Sequence, residues 1–319
     1  MPTPVSLFVI DPPERLDPPT DTSLALMRAS LGRGHRVGYC TLADLRLQDE
    51  RPWGRVRPIR FVAGEELFRA GAAQDLDLSE LAVVYMRKDP PVDAAYLQAC
   101  AILDRLPPWV LQVNPARALK LHGEKFIPLY FPGLMPETLI SAAPADLLAF
   151  VDRIGKAVIK PLDECSGRGV FVLERHDPQG EQKLAEATVA GSTFMQAQRF
   201  LPEIVEGDKR VLLLGGEILG WVRRVPPAGS FRSNVNAGGC CVPCELTDVD
   251  RSIAARLRPW LVAEEIHLAG VDIVGDKVLE VNITSPSCLR EINQLTGAAL
   301  EERILDYVVS RCRPPQGTE

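Results

Sequence analysis

The chain has 319 residues, of which 46% are hydrophobic and 24% are charged, a composition typical of folded proteins and not of disordered ones. At about 150 residues per domain, two or three packed domains are expected. The formal net charge of −6 argues against a nucleic-acid backbone as the main partner. No apolar run reaches the roughly 18 residues of a membrane span, and the first residues lack the features of a signal peptide. We therefore expect a cytoplasmic protein without membrane association.

The N-terminal third predicts a parallel α/β sheet. Residues 5–10 form an apolar run, and a helix is expected from Asp21 to Leu31, with Thr20 or Asp21 as its N-cap. Further strands are expected at 35–41, 81–86 and 110–114. Ligand groups gather where parallel strands end, so the polar residues after these strands predict a binding site. These residues are Asp11, Arg87, Lys88, Asp89 and Asn114.

From Lys120 onward the pattern changes. Strands are expected at 157–160 and 170–174 around a polar loop, with helices at 145–154 and 181–190 beside them. Later strands are expected at 193–199, 210–215, 217–224, 270–274 and 278–283. Later helices are expected near 249–267 and 298–311.

The segment 270–290 is the most informative one for chemistry. Glu280 and Asn282 are two residues apart on a predicted strand, so their side chains share one face. A three-residue hairpin loop at 275–277 would place Asp272 directly across from Glu280, whereas a two-residue loop would place them on opposite faces. The first register would gather oxygen ligands suited to Mg²⁺. The alternative is a solvated hairpin with scattered acidic residues.

Lys160 closes an apolar strand just before the loop Ser166-Gly167-Arg168-Gly169. A lysine at this position, with backbone N–H groups of a small-residue loop, would hold phosphate oxygens. The loop is not a Walker A motif, because the sequence contains no G-x-x-x-x-G-K-[ST]. An ordinary hairpin turn is the alternative.

Arginines follow the strands in the last third of the chain. Arg210 comes after Asp208 and Lys209, and Arg223 and Arg224 close the next strand. Their guanidinium groups would bind carboxylate or phosphate in bidentate fashion, or would lie on a solvated edge strand. Residues 226–239 have neither strand nor helix period, and a loop of this length often serves as a lid.

Six segments, in their order along the chain, resemble the prokaryotic glutathione synthetases of the ATP-grasp superfamily. The likeness runs from Asp11-Pro12 to the C-terminal helix. The segments are MRKDPP (86–91), Glu124-Lys125, IKPLD (159–163), GDKRV (207–211), NAGG (236–239) and EVNITSPSCLREI (280–292).

The resemblance implies an ATP-grasp fold that combines α/β and α+β parts, preceded by an N-terminal parallel α/β domain. It implies an N-terminal substrate domain at 1–122, a central domain at 123–200 and a catalytic domain at 201–319, with ATP between the last two. It also implies a reaction in which ATP phosphorylates the cysteinyl carboxylate of γ-glutamylcysteine and the amine of glycine displaces phosphate. The implied partners are these small molecules, and the implied assembly is a homo-oligomer, a dimer or a tetramer.

The resemblance also assigns roles to individual residues. It implies phosphate contacts at Lys125, Lys160, Gly167 and Gly169, adenine contacts at Gln198, Phe200 and Leu201, and a ribose contact at Asp208. It implies Mg²⁺ or Mn²⁺ ligands at Asp272, Glu280 and Asn282, and catalytic groups at Arg210 and Arg224. It implies peptide-substrate contacts at Asp11, Arg87, Asp89 and Ser285.

The chain departs from the family pattern at three places. Glu164-Cys165-Ser166 stand where the family has glycine, and Glu164 would add negative charge near ATP unless it points away. Ser233 replaces a glycine, and Cys240, Cys241 and Cys244 stand where polar or basic residues are usual. These cysteines would be reduced thiols, a metal site that lacks a fourth ligand, or groups with a redox or specificity role. Two alternatives follow: a peptide ligase that joins a different acid and amine, or a weakly active nucleotide-binding regulatory protein.

Overall fold

Apolar segments of the chain form three β-sheets in this computed structural model, which describes residues 5–165 and 167–312. Within these residues the strands are β1 (Val5–Val9), β2 (Arg36–Cys40), β3 (Leu45–Gln48), β4 (Arg51–Phe61), β5 (Phe68–Ala70), β6 (Gln74–Asp77), β7 (Val83–Met86), β8 (Leu111–Val113), β9 (Thr138–Ser141), β10 (Lys156–Pro161), β11 (Phe171–Glu174), β12 (Met195–Arg199), β13 (Asp208–Leu214), β14 (Glu217–Val225), β15 (Cys240–Val242), β16 (Leu268–Val274) and β17 (Lys277–Asn282). The helices are α1 (Thr22–Gly32), α2 (Ala94–Leu103), α3 (Ala116–Leu121), α4 (Pro144–Ile154), α5 (Gly180–Ala187), α6 (Asp248–Ala263), α7 (Leu289–Thr296) and α8 (Leu300–Val309). In the described residues, no helix is long and apolar enough to span a bilayer.

The first sheet has the strand order β3-β4-β2-β1-β7-β8, with β5 and β6 paired to β4. Strand β1 runs parallel to β2 and β7, and β7 runs parallel to β8, which confirms the predicted parallel arrangement. Asp21 caps α1 as expected, because its Oδ1 accepts a hydrogen bond of 2.7 Å from the Leu24 N–H.

Strands β3 to β6 were not expected from the sequence. The long strand β4 contains Pro52, Gly54 and Pro58, residue types that are rare within strands and obscure the polar–apolar alternation. This strand pairs in antiparallel fashion with β2, β3, β5 and β6. Pairing with these four strands therefore stabilises β4 although its own sequence has only a weak strand pattern.

The second sheet, in the order β11-β10-β12-β9, is antiparallel throughout. Helices α4 and α5 cover it and bury Leu147, Val151 and Leu184. The prediction that the second helix extends to residue 190 is wrong. Val189 and Ala190 have φ of 47° and 52°, in the left-handed region that a right-handed helix excludes, so α5 ends at Ala187.

The third sheet, in the order β15-β14-β13-β16-β17, carries the informative hairpin. Its loop has two residues, Gly275 and Asp276, since Val274 pairs with Lys277. A register shift then places Asp272 opposite Glu280 although Ile273 lies opposite Val278, so Leu279 is the extra residue of a β-bulge. The two carboxylates therefore share one face. The β-bulge produces this register, whereas the sequence predicted that a three-residue loop would be needed for it. Helix α7 follows this hairpin and was not expected.

Candidate active site

One cleft lies between the second and third sheets and gathers most of the residues expected at a nucleotide site. Its lining includes Lys125, Lys160, Gly167, Gln198, Phe200, Leu201, Asp208, Arg224, Asp272 and Glu280. Gly169 does not line this cleft. It packs on Pro161, where an added Cβ would lie 2.8 Å from the ring Cγ, and Ser166 is outside the described residues.

A second cleft of about 490 Å³ lies between the first and third sheets. It is lined by the residues expected at the peptide substrate, together with residues of the third sheet: Asp11, Arg87, Asp89, Ser285, Arg210 and Asn282. Arg224 and Glu280 line both clefts. The two clefts therefore meet where these side chains lie.

The buried Arg87 guanidinium is oriented by two hydrogen bonds at the second cleft. Its Nε donates to Ser23 Oγ at 3.1 Å, and its Nη2 donates to the carbonyl of Pro286 at 3.1 Å. Among the described residues, the buried Nη1 has no hydrogen-bond partner. An unpaired buried guanidinium N–H is costly, so this group is suited to a ligand carboxylate.

Asp272 is held by two arginines at the junction of the clefts. Arg210 Nε and Nη2 lie 2.5 and 3.0 Å from its two oxygens, and Arg224 Nη2 lies 2.8 Å from Oδ2. Arg224 also forms a bidentate pair with Asp208, at 2.8 and 2.5 Å. Burial alone would raise the pKa of Asp272, but the two guanidinium groups hold it well below its usual range.

Two lysines flank Glu280 on the other side of the junction. Lys125 Nζ lies 3.8 Å from the Glu280 carboxylate, and Lys160 Nζ donates to Gln198 Oε1 at 2.8 Å. Burial raises the pKa of Glu280, although Lys125 opposes this shift. Burial lowers the pKa of Lys160 to about 8, against the attraction of Glu280. The ammonium group of Lys160 is therefore held close to its titration range.

The hairpin residues suit a divalent cation. Asn282 Nδ2 donates to Asp272 Oδ2 at 3.3 Å and to the carbonyl of Gly270 at 3.2 Å, so the amide lies beside the two facing carboxylates. Across residues 5–165 and 167–312, no three His, Cys, Asp or Glu side chains form a group that would hold a metal by themselves. Two carboxylates and an amide nevertheless fit Mg²⁺, which usually retains water and binds substrate phosphates as well.

The loop at 163–169 is fastened to its surroundings near these lysines. The carbonyl of Glu164 accepts a hydrogen bond of 2.8 Å from Lys125, and the Glu164 carboxylate lies 2.8 Å from Arg168 Nε. Arg168 also donates to the carbonyl of Pro90 at 3.0 Å, which links the loop to the N-terminal sheet. The negative charge of Glu164 is thus compensated within the loop.

The segment 226–239 covers the first cleft. Apart from a short 3-10 turn at Val235–Ala237 it is irregular, as expected. Phe231, Arg232, Ser233 and Asn234 line the cleft, and Arg232 donates to the carbonyl of Val170. The segment therefore contacts Val170, which directly follows the loop at 163–169, from across the opening.

Asn114, expected in the binding site, does not line either cleft. Its Nδ2 donates to the carbonyls of Leu268 and Ile283 at 2.6 Å each, and its Oδ1 accepts from the N–H groups of His267 and Leu268. The buried side chain instead joins the first sheet to β16 and β17. A polar residue after a parallel strand can serve packing between sheets as well as ligand binding, and spacing alone does not distinguish the two.

Glu124, for which the sequence predicted no individual role, organises the wall of the second cleft. One oxygen of this buried carboxylate accepts from the N–H of Ile283 at 2.7 Å and from the N–H and hydroxyl of Thr284 at 2.9 and 2.8 Å. The Glu124-Lys125 pair had been singled out only for its resemblance to the family. Apart from that resemblance, no local pattern pointed to Glu124.

Comparison with known proteins identifies the family. The family model described as prokaryotic glutathione synthetase, N-terminal domain, matches residues 5–120, and the one described as prokaryotic glutathione synthetase, ATP-grasp domain, matches residues 124–297. The chain belongs to the prokaryotic glutathione synthetase family. The predicted resemblance is thereby confirmed.

Relatives named glutathione synthetase match this family member over nearly their whole length. The protein from Gloeobacter violaceus is 40% identical, with 97% of each chain covered. The protein from Synechococcus elongatus is 37% identical over 93% of this chain and 96% of the relative. The protein from Salmonella typhimurium is 34% identical over 95% and 98%.

Solved structures confirm the ATP-grasp fold. The crystal structure of the D-cycloserine synthetase DcsG aligns with a TM-score of 0.66 and 16% identity, covering 97% of this chain and 100% of that one. The ATP-grasp ligase PsnB in complex with its minimal precursor aligns with a TM-score of 0.63 and 16% identity, covering 98% and 100%. At such identities the likeness concerns the fold alone.

Proposed function

We propose that the protein is an ATP-dependent ligase that joins the cysteinyl carboxylate of γ-glutamylcysteine to the amine of glycine, forming glutathione and releasing ADP and phosphate. The observation that carries this proposal is the meeting of two clefts at Arg224 and Glu280. A nucleotide in the first cleft would direct its terminal phosphate toward an acid held in the second.

In this proposal the first cleft binds ATP. Lys125 and Lys160 contact phosphate oxygens, together with backbone N–H groups around Gly167, and Asp208 faces the ribose. The strand end at Gln198, Phe200 and Leu201 forms the adenine side, since these residues line the same cleft as Lys160. Phosphoryl transfer depends mainly on positioning and on charge stabilisation, and this set supplies both.

The second cleft binds the peptide acid. The free Nη1 of Arg87 receives a substrate carboxylate, while Asp11, Asp89 and Ser285 surround the rest of the molecule. A charge-assisted hydrogen bond to carboxylate is roughly twice as strong as a neutral one. The pre-oriented guanidinium therefore fixes one end of the substrate and leaves its reacting end at the junction.

At the junction, two negatively charged reactants must approach each other. Arg210 and Arg224 stabilise the charge that develops on the acyl phosphate and on the tetrahedral species that follows it, since both line the second cleft while tied to Asp272. The segment 226–239 excludes water, which would otherwise hydrolyse the acyl phosphate.

Asp272, Glu280 and Asn282 would hold Mg²⁺, or Mn²⁺ in its place. When bound, the cation would neutralise phosphate charge. Ionised Asp272 suits this role, because its low pKa keeps it charged at neutral pH.

Substrate-dependent ADP release tests the function. We expect release that requires both γ-glutamylcysteine and glycine, measured with a coupled spectrophotometric assay on the purified chain. Release that occurs only with other acid and amine pairs would indicate a different peptide ligase. ATP binding without turnover on any acid would indicate a regulatory protein. A Glu280→Gln variant provides the background rate.

We also propose three features that go with this function. The chain divides at about residues 122 and 200 into three domains, which agrees with the grouping of its strands, and limited proteolysis tests the boundaries. It forms a dimer or tetramer, as the resemblance implies, which light scattering measures. It acts in the cytoplasm on small molecules, and fractionation of cells tests this location.

A further inference from the structure

The cysteines near β15 differ in their surroundings. Cys240 is exposed, whereas Cys241 is partly buried and packs against the hydrophobic cluster that includes Cys288. In the register of β14 and β15, Cys241 lies opposite Arg224. The strand therefore carries one thiol away from the site and the next toward it.

Cys241 packs against the hydrophobic cluster that contains Cys288, and the two thiols lie close enough for each to shift the pKa of the other. Cys288 lies at the N-cap of α7 with φ of 78°, is 1% exposed and lines the second cleft. No group of three metal-ligating side chains occurs in the described part of the chain, so these two thiols do not belong to a metal cluster there. The two thiols are therefore neighbours in this cluster, and Cys288 belongs to the wall of the second cleft.

The charges around this pair favour reaction at Cys288. The neighbouring Cys241 thiol, and then the guanidinium groups of Arg210 and Arg224, lower the pKa of Cys288 to about 6 despite its burial. The thiolate is the nucleophilic form of cysteine. Burial raises the pKa of Glu291, which lines the same cleft, to about 7.

We propose that Cys241 and Cys288 form a reversible disulfide when hydrogen peroxide enters the second cleft, and that this disulfide lowers the turnover of the enzyme. The effect on turnover rests on the proposed ligase function, whereas formation of the disulfide does not.

The reaction proceeds in two steps. The Cys288 thiolate attacks one peroxide oxygen, the O–O bond breaks, and hydroxide leaves, so that Cys288 becomes a sulfenic acid. The Cys241 sulfur then loses its proton and attacks the Cys288 sulfur, the S–O bond breaks, and the oxygen leaves as water. In total, two thiols and one peroxide give one disulfide and two water molecules. A dithiol reductant reverses the change.

The disulfide would act on the part of the second cleft that Cys288 and Arg224 line. A sulfur–sulfur bond of about 2.05 Å is shorter than any non-bonded contact of two sulfur atoms, so forming it draws β15 and the start of α7 together. Cys288 directly follows the segment that carries Ser285 and the Pro286 carbonyl bound by Arg87. Cys241 lies beside Arg224. The shift therefore disturbs the groups proposed to hold the substrate and to stabilise its charge.

To test this proposal, the reduced full-length chain is oxidised with hydrogen peroxide and its remaining thiols are alkylated. Its peptides are then mapped by mass spectrometry without reduction. We expect a linked pair that contains Cys241 and Cys288 and is two hydrogens lighter than the sum of its parts. ADP release should fall at least fivefold and return after dithiothreitol treatment. Cys240→Ser, which changes the adjacent exposed thiol, should form the same pair and lose activity to the same extent. Cys241→Ser should form no linked pair.

Absence of the linked pair from the unchanged chain, or linkage of Cys288 to Cys240 or Cys244, would overturn the proposed disulfide. Unchanged turnover in a fully linked sample would overturn its effect on activity. If the untreated chain releases no ADP with any substrate pair, the proposed function fails, and peptide mapping still decides whether the disulfide forms.

Discussion

Asp272 lies directly opposite Glu280 across the β16–β17 hairpin, and the bulge at Leu279 brings about this alignment. The two carboxylates differ electrostatically although they are neighbours. Arg210 and Arg224 counter the effect of burial on Asp272 and lower its pKa, whereas burial raises the pKa of Glu280 in spite of Lys125. The pair therefore combines one carboxylate that stays ionised with one whose charge depends on what binds beside it.

Replacing Glu280 with glutamine tests this carboxylate as a cation ligand. We expect turnover to fall about 10²- to 10³-fold, because the proposed cation loses one anionic oxygen ligand and is held less well beside the phosphates. The thermal unfolding midpoint should stay near that of the unchanged chain. Steady-state ADP release and circular dichroism measure the two quantities. The exposed Glu203→Gln serves as the matched control and should retain activity. Near-normal turnover of Glu280→Gln would remove this residue from the proposed site.

Replacing Arg210 with lysine tests the planar guanidinium. The change keeps the charge but loses the bidentate contact with Asp272. We expect turnover to fall about 10- to 100-fold, as for the loss of a charged hydrogen bond of about 1.5–3 kcal/mol, with a smaller change in ATP affinity. Rapid kinetics and calorimetric titration with ATP separate the two effects. An equal loss in both would assign Arg210 to nucleotide binding.

The pKa of Lys160 predicts a pH dependence of ATP binding. Burial lowers this pKa from its ordinary 10.5 to about 8, so the free protein loses the ammonium charge as the pH rises through that value. We expect the Kd for ATP to be constant below pH 8 and to weaken about tenfold per pH unit above it.

A Lys160→Arg variant keeps its charge throughout this range and serves as the control for that titration. Its Kd should stay level between pH 7 and 9.5, and a parallel weakening in both proteins would exclude Lys160 as the titrating group. Unfolding experiments at different pH values test the lowered pKa of Lys160 independently of ATP. Between pH 8 and 10.5 the unfolded chain binds more protons at this residue than the folded one. The contribution of Lys160 to the free energy of unfolding should therefore rise with pH over this interval.

The ion pair of Glu164 and Arg168 explains how the loop tolerates an acidic residue near the proposed phosphate site. We expect Arg168→Ala to weaken ATP binding about fivefold, because Glu164 would then carry an uncompensated charge worth about 1 kcal/mol at a partly exposed position. The double variant Glu164→Ala, Arg168→Ala should bind ATP within about twofold of the unchanged chain. Calorimetric titration of the full mutant cycle measures the coupling, and additive losses would show that the two side chains act separately.

Asn114 should matter for stability and not for substrate binding. Its replacement by alanine leaves buried backbone groups of Leu268 and Ile283, and the partly buried N–H of His267, without their partner. We expect the free energy of unfolding to fall by about 3 kcal/mol. Urea denaturation followed by circular dichroism measures this loss, with the exposed Gln182→Ala as control. A large change in KM without loss of stability would return Asn114 to the binding site.

The sequence by itself determined the parallel N-terminal strands, the position of α1 and the segments that identify the family. These features depend on local patterns: apolar runs bounded by turn residues, a capping aspartate, and short motifs in a fixed order. The grouping of Lys160 with the loop after it was also visible, because residues close in sequence at a strand end must remain close in space.

Only the tertiary structure decided which polar residues act together. The bulge at Leu279 fixes the register of Asp272 and Glu280, and no local pattern specifies a bulge. Asn114 and Arg87 both follow parallel strands, yet one joins two sheets and the other faces a cleft, because the packing of distant segments determines their neighbours. The contact of Cys241 with Cys288 has the same origin, since 46 intervening residues leave its geometry to the pairing of β15 and the position of α7.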